Sequence, residues 1–274
     1  ATVNFALDTA VAQPGLADLT TDSGSSTTDN VTRINTPSFS GTAEANASIA
    51  ISIDGNPATT VTANGSGGWT YTSTTLTDGP HTISVVATDK AGNVSAPSTP
   101  LSFDIDTAAP TVDGVTAAPD SGVQGQGDIV TFTVAMSEAV TVSGTPRLLL
   151  DNGGVAVFAG VSGSTMTFSY TVAAGQATDD LSISSFDLNG ATITDIAGNA
   201  ADMGDVVVNP AGVLPVDPAA PVVAHALLDQ NVAEDTPWTF QVPADTFADA
   251  DGDTLSYTAT LDNGDALPSW LHFD

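Results

Sequence analysis

Apolar side chains recur at every second position through residues 48–54, 81–88, 129–135 and 165–172, and serine or threonine fills many of the alternate positions. Ile49, Ile51 and Ile53 share one face of the first stretch, and Val130, Phe132 and Val134 share one face of the third. A period of two is that of a strand with one buried face. Turn formers stand between such stretches, as Asp54-Gly55, Asp78-Gly79-Pro80 and Asn152-Gly153-Gly154. The 39 threonines favour strands through their branched Cβ. No segment sustains an apolar period of 3.6. Short strands broken by regular turns predict an all-β chain built of β-sandwiches.

Internal repeats divide the chain. A junction motif appears as Leu7-Asp8-Thr9-Ala10, as Ile105-Asp106-Thr107-Ala108, and as Val216-Asp217-Pro218-Ala219. Asp106 follows Asp8 by 98 residues and Asp217 follows Asp106 by 111, each about the length of one immunoglobulin-like sandwich. Val3, Phe5 and Leu7 match Leu101, Phe103 and Ile105 ahead of the next junction. Residues 1–8 are therefore expected to be the last strand of a preceding domain plus a linker. Full domains are expected over 9–106 and 107–216, and the N-terminal part of a third over 217–274. A second repeated motif, Asp-x-Ala-Gly-Asn, occupies 89–93 and 195–199 and is placed in the turn before a final strand.

Composition narrows the possible partners. The chain has 274 residues, 32 acids against three bases, a formal charge of −29 and no cysteine. A basic footprint for nucleic acid or an anionic membrane is missing. Disulfides and thiolate metal sites are excluded. Hydrophobic residues make up 41%, which is too many for an acidic disordered chain. No apolar run approaches the ~20 residues of a membrane-spanning helix, so direct membrane insertion is not expected. The sequence shows no signal peptide and no initiator methionine, and reads as a piece of a longer protein. Among the acids only Glu44, Glu138 and Glu234 are glutamate. A coat that served solubility alone would mix the two acids, whereas aspartate suits both turns and calcium-binding loops.

Residues 9–106 resemble the bacterial Ig-like repeats of giant RTX-type adhesins and other large repetitive surface proteins. The resemblance rests on Thr36-Pro37-Ser38-Phe39-Ser40-Gly41, Gly68-Trp69-Thr70-Tyr71, Leu76-Thr77-Asp78-Gly79 and Asp89-Lys90-Ala91-Gly92-Asn93. Residues 107–216 resemble a second Ig-like type through Ser137-Glu138-Ala139-Val140, Gly144-Thr145-Pro146 and Leu188-Asn189-Gly190-Ala191. Residues 217–274 are similar to the start of a dystroglycan-type cadherin-like domain, through Asp229-Gln230, Asp249-Ala250-Asp251-Gly252-Asp253 and Leu267-Pro268-Ser269-Trp270-Leu271. The resemblance implies tandem sandwiches in a linear array, the last one truncated. It also implies a secreted, calcium-stiffened extender at the bacterial cell surface. Its partners would be neighbouring Ig-like or cadherin-like domains of the same chain, with a host or surface ligand bound by other regions.

Topology asks independently where acids should meet. In a sandwich entered from its linker, the B–C and F–G loops share the linker end. This brings Asp8, Glu44, Asp89 and Asn93 together at one linker, and Asp106, Glu138, Asp195 and Asn199 at the next. Such carboxylate sets would repel unless a cation such as Ca²⁺ sat among them. At the opposite end of the first domain, Asp22 and Asp29 flank a loop near Asp78, and Asp106 is expected to share ligation there. Asp120 and Asp128 are their counterparts in the second domain. In the third, Glu234, Asp249, Asp251, Asp253 and Asp217 form the candidate set. The spacing is not that of an EF-hand, since the glycine stands fourth rather than sixth.

Catalytic chemistry finds little support. His81, His225 and His272 stand apart, no Gly-x-Ser-x-Gly elbow is present, and residues 122–127 lack the strand–helix context of a phosphate loop. Trp69, Trp238 and Trp270 are expected to be one core or edge anchor per domain. Two other readings stay open. One is a carbohydrate- or surface-binding module, which would expose aromatics on one face. The other is an accessory linker of a secreted hydrolase.

Overall fold

The computed structural model describes residues 7–15, 17–219, 221–231, 233, 237–249 and 255–273. The expected strand through Val3 and Phe5 lies outside them, as do Glu234, Asp251 and Asp253.

Eight strands form the first sandwich: β1 (Asp18–Leu19), β2 (Val31–Thr32), β3 (Ser38–Thr42), β4 (Ser48–Ile53), β5 (Asn56–Thr62), β6 (Gly68–Thr72), β7 (Gly79–Thr88) and β8 (Leu101–Ile105). One sheet runs β1-β3-β6 and the other β2-β8-β7-β4-β5. The first strand is split between the sheets. β1 pairs antiparallel with β3, and β2 pairs parallel with β8. The two inner faces meet in a core of Phe39, Ile49, Ile51, Ile83, Val85, Phe103 and Ile105. Phe39 and Phe103 meet edge to face at 5.0 Å, an orientation aromatic quadrupoles favour. The β4–β5 hairpin closes on Asp54 and Gly55, both at positive φ, as a two-residue hairpin turn requires.

The second sandwich holds β9 (Val112–Ala118), β10 (Ile129–Met136), β11 (Thr141–Ser143), β12 (Arg147–Leu150), β13 (Val155–Ser162), β14 (Thr165–Thr171), β15 (Ile183–Asp187) and β16 (Thr192–Thr194). Its plan differs from the first. Six strands lie in one sheet, β15-β12-β13-β14-β10-β9, faced by the short β11-β16 pair and by bridged segments near Asp202, Val213 and Val216. The reason is local. Tight turns follow β12 and β13, with Gly153 and Gly163 at positive φ, so β12, β13 and β14 return as a meander within one sheet. A separate core of Val130, Phe132, Leu148, Met166, Phe168 and Tyr170 fills the space.

In the third segment the described residues show β17 (Val222–Val223) paired with β18 (Phe247–Ala248) and one bridge between Thr260 and Ala266. The expected tryptophan anchors are corrected here. Trp69 is buried at 3% exposure, whereas Trp238 is 42% and Trp270 78% exposed, so neither of the latter is a core anchor.

Trp69 shows how tightly the first sandwich is fitted. Its indole lies over its cross-strand partner Gly41, where a Cβ would stand 2.5 Å from Cζ2. Gly41→Ala must push the ring off this site, and is expected to cost about 1–3 kcal/mol of stability, read from the denaturant midpoint.

His81 on β7 ties the hairpin turn to the sheet. Its Nδ1 lies 2.7 Å from Asp54 Oδ2, and its Nε2 donates to the Thr77 carbonyl at 2.8 Å. Burial pulls the His81 pKa down, but the bonds to Asp54 and Thr77 and the charges of Asp54 and Asp104 outweigh it, so the pKa is raised above 6.5. For Asp54, burial works upward and is outweighed by His81 and the Thr82 N–H, so its pKa falls below 3.8. A raised histidine stabilises below its unfolded value and loses that stabilisation as pH rises through its folded value. A lowered aspartate stabilises above its unfolded value and loses it as pH falls through its folded value. The pair is therefore fully effective between 3.8 and 6.5. His81→Gln is expected to lower the melting temperature most in that window and progressively less above it, as a pH series of melting curves would show.

Candidate metal centres at the linkers

The Asp-x-Ala-Gly-Asn motif folds into the same kind of turn at both its positions, for a reason visible in its chemistry. Asp89 N–H donates to the Asn93 carbonyl, Asn93 N–H donates back to Asp89 Oδ1 at 2.8 Å, and Asn93 Nδ2 donates to Asp89 Oδ2 at 2.6 Å. In the second copy Asn199 N–H donates to Asp195 Oδ1 at 2.8 Å and Asn199 Nδ2 to Asp195 Oδ2 at 2.8 Å. Gly198 N–H adds a bond of 2.6 Å to Asp195 Oδ1. The fourth position has φ of +93° at Gly92 and +91° at Gly198, a conformation open to glycine at little cost. A bridge from Thr88 to Val94, and one from Thr194 to Ala200, closes each turn.

The junction aspartates repeat as well. Asp8, Asp106 and Asp217 each accept the N–H two residues on, from Ala10, Ala108 and Ala219. This is the Asx turn that aspartate forms readily. The first two point their carboxylates at the turns. Asp8, Glu44 and Asp89 each offer an oxygen within 4.8 Å of the others, and so do Asp106, Glu138 and Asp195. Glu44 comes from the β3–β4 loop and Glu138 from the β10–β11 loop, the same position in each sandwich. Asp89 and Asp195 are buried at the base of each trio. The asparagines brace the trios from behind. Asn199 Nδ2 also donates to the Asp106 backbone carbonyl at 2.8 Å, and Asn93 Nδ2 reaches Asp8 Oδ1 at 3.5 Å.

Electrostatics marks the trios as charge-rich. Burial, then the charges of Asp106 and Asp195, push the Glu138 carboxyl up. Asp89 is held low, first by the Asn93 side-chain amide and then, against burial, by backbone N–H groups of its own turn. Among the described residues, no lysine, arginine or histidine forms an ion pair with either trio. Oxygen-only donors from several loops, with no basic side chain paired to them among the described residues, fit a hard divalent ion such as Ca²⁺.

Other expected sets assemble less fully. Asp22 Oδ2 accepts the Asn30 N–H, and burial with the neighbouring Asp29 charge raises its pKa. The structure thus pairs Asp22 with Asp29, but among the described residues no third acid completes a group there. Asp106, also expected to be shared with that pair, is grouped with Glu138 and Asp195, and its carbonyl accepts from Asn199 Nδ2. Asp78 accepts the Thr107 hydroxyl. Asp128 accepts the Gly125 N–H and Asp120 the Ser121 hydroxyl, so both close local turns. In the third segment Asp217 and Asp249 line one cleft with Phe247 and Tyr257, and the remaining three acids of that set lie outside the described residues.

Residues 10–107 match the bacterial Ig-like domain family. Residues 220–274 match a family described as a putative Ig domain. Among curated proteins none matches the chain. Among solved structures, a chain titled "Biofilm associated protein - BSP domain" is 17% identical with a TM-score of 0.23, over 70% of this chain and 28% of that one. The present chain thus spans little more than a quarter of that neighbour.

Repulsion within a trio gives a sign that can be measured. With chelator at pH 7, Glu138→Gln removes one of three crowded charges and is expected to raise the melting temperature of the second sandwich. In millimolar calcium the same variant is expected to melt below the unmodified chain, and Glu44→Gln should behave likewise in the first.

Proposed function

We propose that this chain is a calcium-stabilised extender segment of a secreted bacterial adhesin, a stalk that holds a ligand-binding region away from the cell surface. The observation that carries the reading is the repeated trio. The same three elements, a linker aspartate, a loop glutamate and a turn aspartate, converge at both linkers, and two of the three glutamates in the chain stand there. A cation at such a place ties a linker to the loops of the next sandwich, which converts a hinge into a strut. The action is mechanical. The Ig-like matches and the all-β fold support a surface module built of tandem sandwiches. The kinship with RTX-type adhesins, the cadherin-like nature of residues 217–274 and the neighbouring domains as partners belong to this proposal. Asp217, Asp249, Glu234, Asp251 and Asp253 are its candidate third site.

Trp238 and Phe240 stack at 5.9 Å with both rings partly exposed, which favours a second reading for the third segment, a surface that binds glycans. Protection of Trp238 fluorescence from quenching by a soluble polysaccharide would separate that reading from the first.

Extracellular modules of this kind bind calcium with Kd on the order of 10⁻⁴–10⁻³ M. At several millimolar calcium the chain is expected to melt at a higher temperature, and to show a longer maximum dimension in small-angle X-ray scattering, than in chelator. Identical melting and identical dimensions in the two conditions would contradict the proposal.

A further inference from the structure

The turn at 195–199 has a second face, and something is docked on it. The loop between β1 and β2 of the first sandwich reaches across the linker to the backbone of the turn. Ser23 Oγ donates to the Ala197 carbonyl at 2.6 Å, and Arg33 Nη1 donates to the Gly198 carbonyl at 2.7 Å. Gly24 lies so close that a Cβ on it would stand 1.9 Å from the Ile196 carbonyl oxygen, and its φ of +92° already requires glycine. A Cβ on Gly198 would in turn meet Gly24 Cα at 2.9 Å. Two glycines therefore allow backbone to approach backbone, and a hydroxyl and a guanidinium pin the contact. Within the loop, Ser23 Oγ also accepts the Arg33 N–H at 2.9 Å, so the two pinning residues hold each other in place.

The same five residues carry Asp195, a member of the second trio, and Asn199, which donates to it. The twin turn at 89–93 carries Asp89 of the first trio. It repeats the two asparagine-to-aspartate bonds and the positive φ of its glycine, and among the described residues nothing lies within 4 Å of where a Gly92 Cβ would be.

We infer that the loop at 22–33 of the first sandwich is the docking partner of the second sandwich's Asp-x-Ala-Gly-Asn turn, and that docking and calcium binding at Asp106, Glu138 and Asp195 strengthen one another. The inference rests on the calcium reading above and adds its regulation. Asp106 lies on the linker that joins the two sandwiches, while Glu138 and Asp195 belong to the second. A cation that holds all three fixes how the second sandwich sits against the first, and the clasp fixes the same relation from the other side of the turn. Two constraints on one degree of freedom share its ordering cost, so each lowers the cost of the other. Ser23, Gly24 and Arg33 are positioning residues in this scheme and touch no ligand.

The sign of one variant separates this from simple electrostatics. Arg33 is one of three bases in the chain. By Coulomb's law alone, removing it would strengthen cation binding to nearby carboxylates. The clasp requires the opposite.

The test is a calcium titration of the full, isotopically labelled chain followed by NMR. The amides of Gly92 and Asn93 report the first site, and those of Gly198 and Asn199 report the second. In Arg33→Ala and in Gly24→Val, the second-site midpoint is expected to move to at least about fivefold higher calcium, within the usual range of coupling between sites. The first-site midpoint should stay fixed. Arg33→Lys, which can still donate to the Gly198 carbonyl, is expected to recover most of the shift. If Gly24→Val fails to fold, the exposed Arg33 variants carry the test alone. Second-site midpoints that stay put or move to lower calcium, or equal shifts at both sites, would overturn the coupling while leaving the calcium reading intact. An unmodified chain whose signals respond to calcium at neither turn would overturn the calcium reading, and this inference with it.

Discussion

Like charges brought together by the fold set the terms for everything at the linkers. Two carboxylates 4.8 Å apart repel by on the order of 1 kcal/mol in water, and by a few times that where protein displaces solvent. Each trio contains three such pairs within that distance. The chain tolerates this because each buried aspartate is satisfied by its own turn. Asp89 and Asp195 both accept backbone and asparagine N–H groups, which fixes the direction in which the remaining lone pairs face. What remains uncompensated is the approach of the linker aspartate and the loop glutamate, and that is the part a cation would relieve.

This division explains why the rest of the architecture can be plain. The sandwich cores are ordinary packed aliphatic and aromatic clusters, held by alternating strands and tight turns. They need only present three loop ends at one pole of each sandwich. The two sandwiches do so with different sheet plans, one split three and five and the other with six strands in a single sheet. The site geometry is therefore set by the local motifs at the linker pole and survives a change in the strands behind it.

Much of this was legible in the sequence, for reasons that can be named. The all-β character followed from period-two stretches such as residues 48–54, which form β4 with Ile49 and Ile51 fully buried. The convergence of Glu44 with Asp89, and of Glu138 with Asp195, could be anticipated because glutamate is rare here and falls in the same loop twice. Other features were hidden. Asp106 could have joined either pole, and it stands with Glu138 and Asp195, its carbonyl held by Asn199. The meander of the second sandwich depends on Gly153 and Gly163 adopting positive φ, which a glycine permits without announcing. The contact of Ser23 and Arg33 with the turn uses backbone carbonyls as acceptors, and carbonyls leave no trace in residue identity. A glycine whose missing Cβ makes room for a neighbour was the available signal, at Gly24 and Gly198.

The central claim is that the two trios are equivalent cation sites. Diffraction from crystals of the chain grown in millimolar calcium, with anomalous differences collected at long wavelength, would test it most directly. The account predicts one peak enclosed by Asp8, Glu44 and Asp89 and a second enclosed by Asp106, Glu138 and Asp195. Peaks confined to other acids, with both trios free of anomalous density, would contradict it.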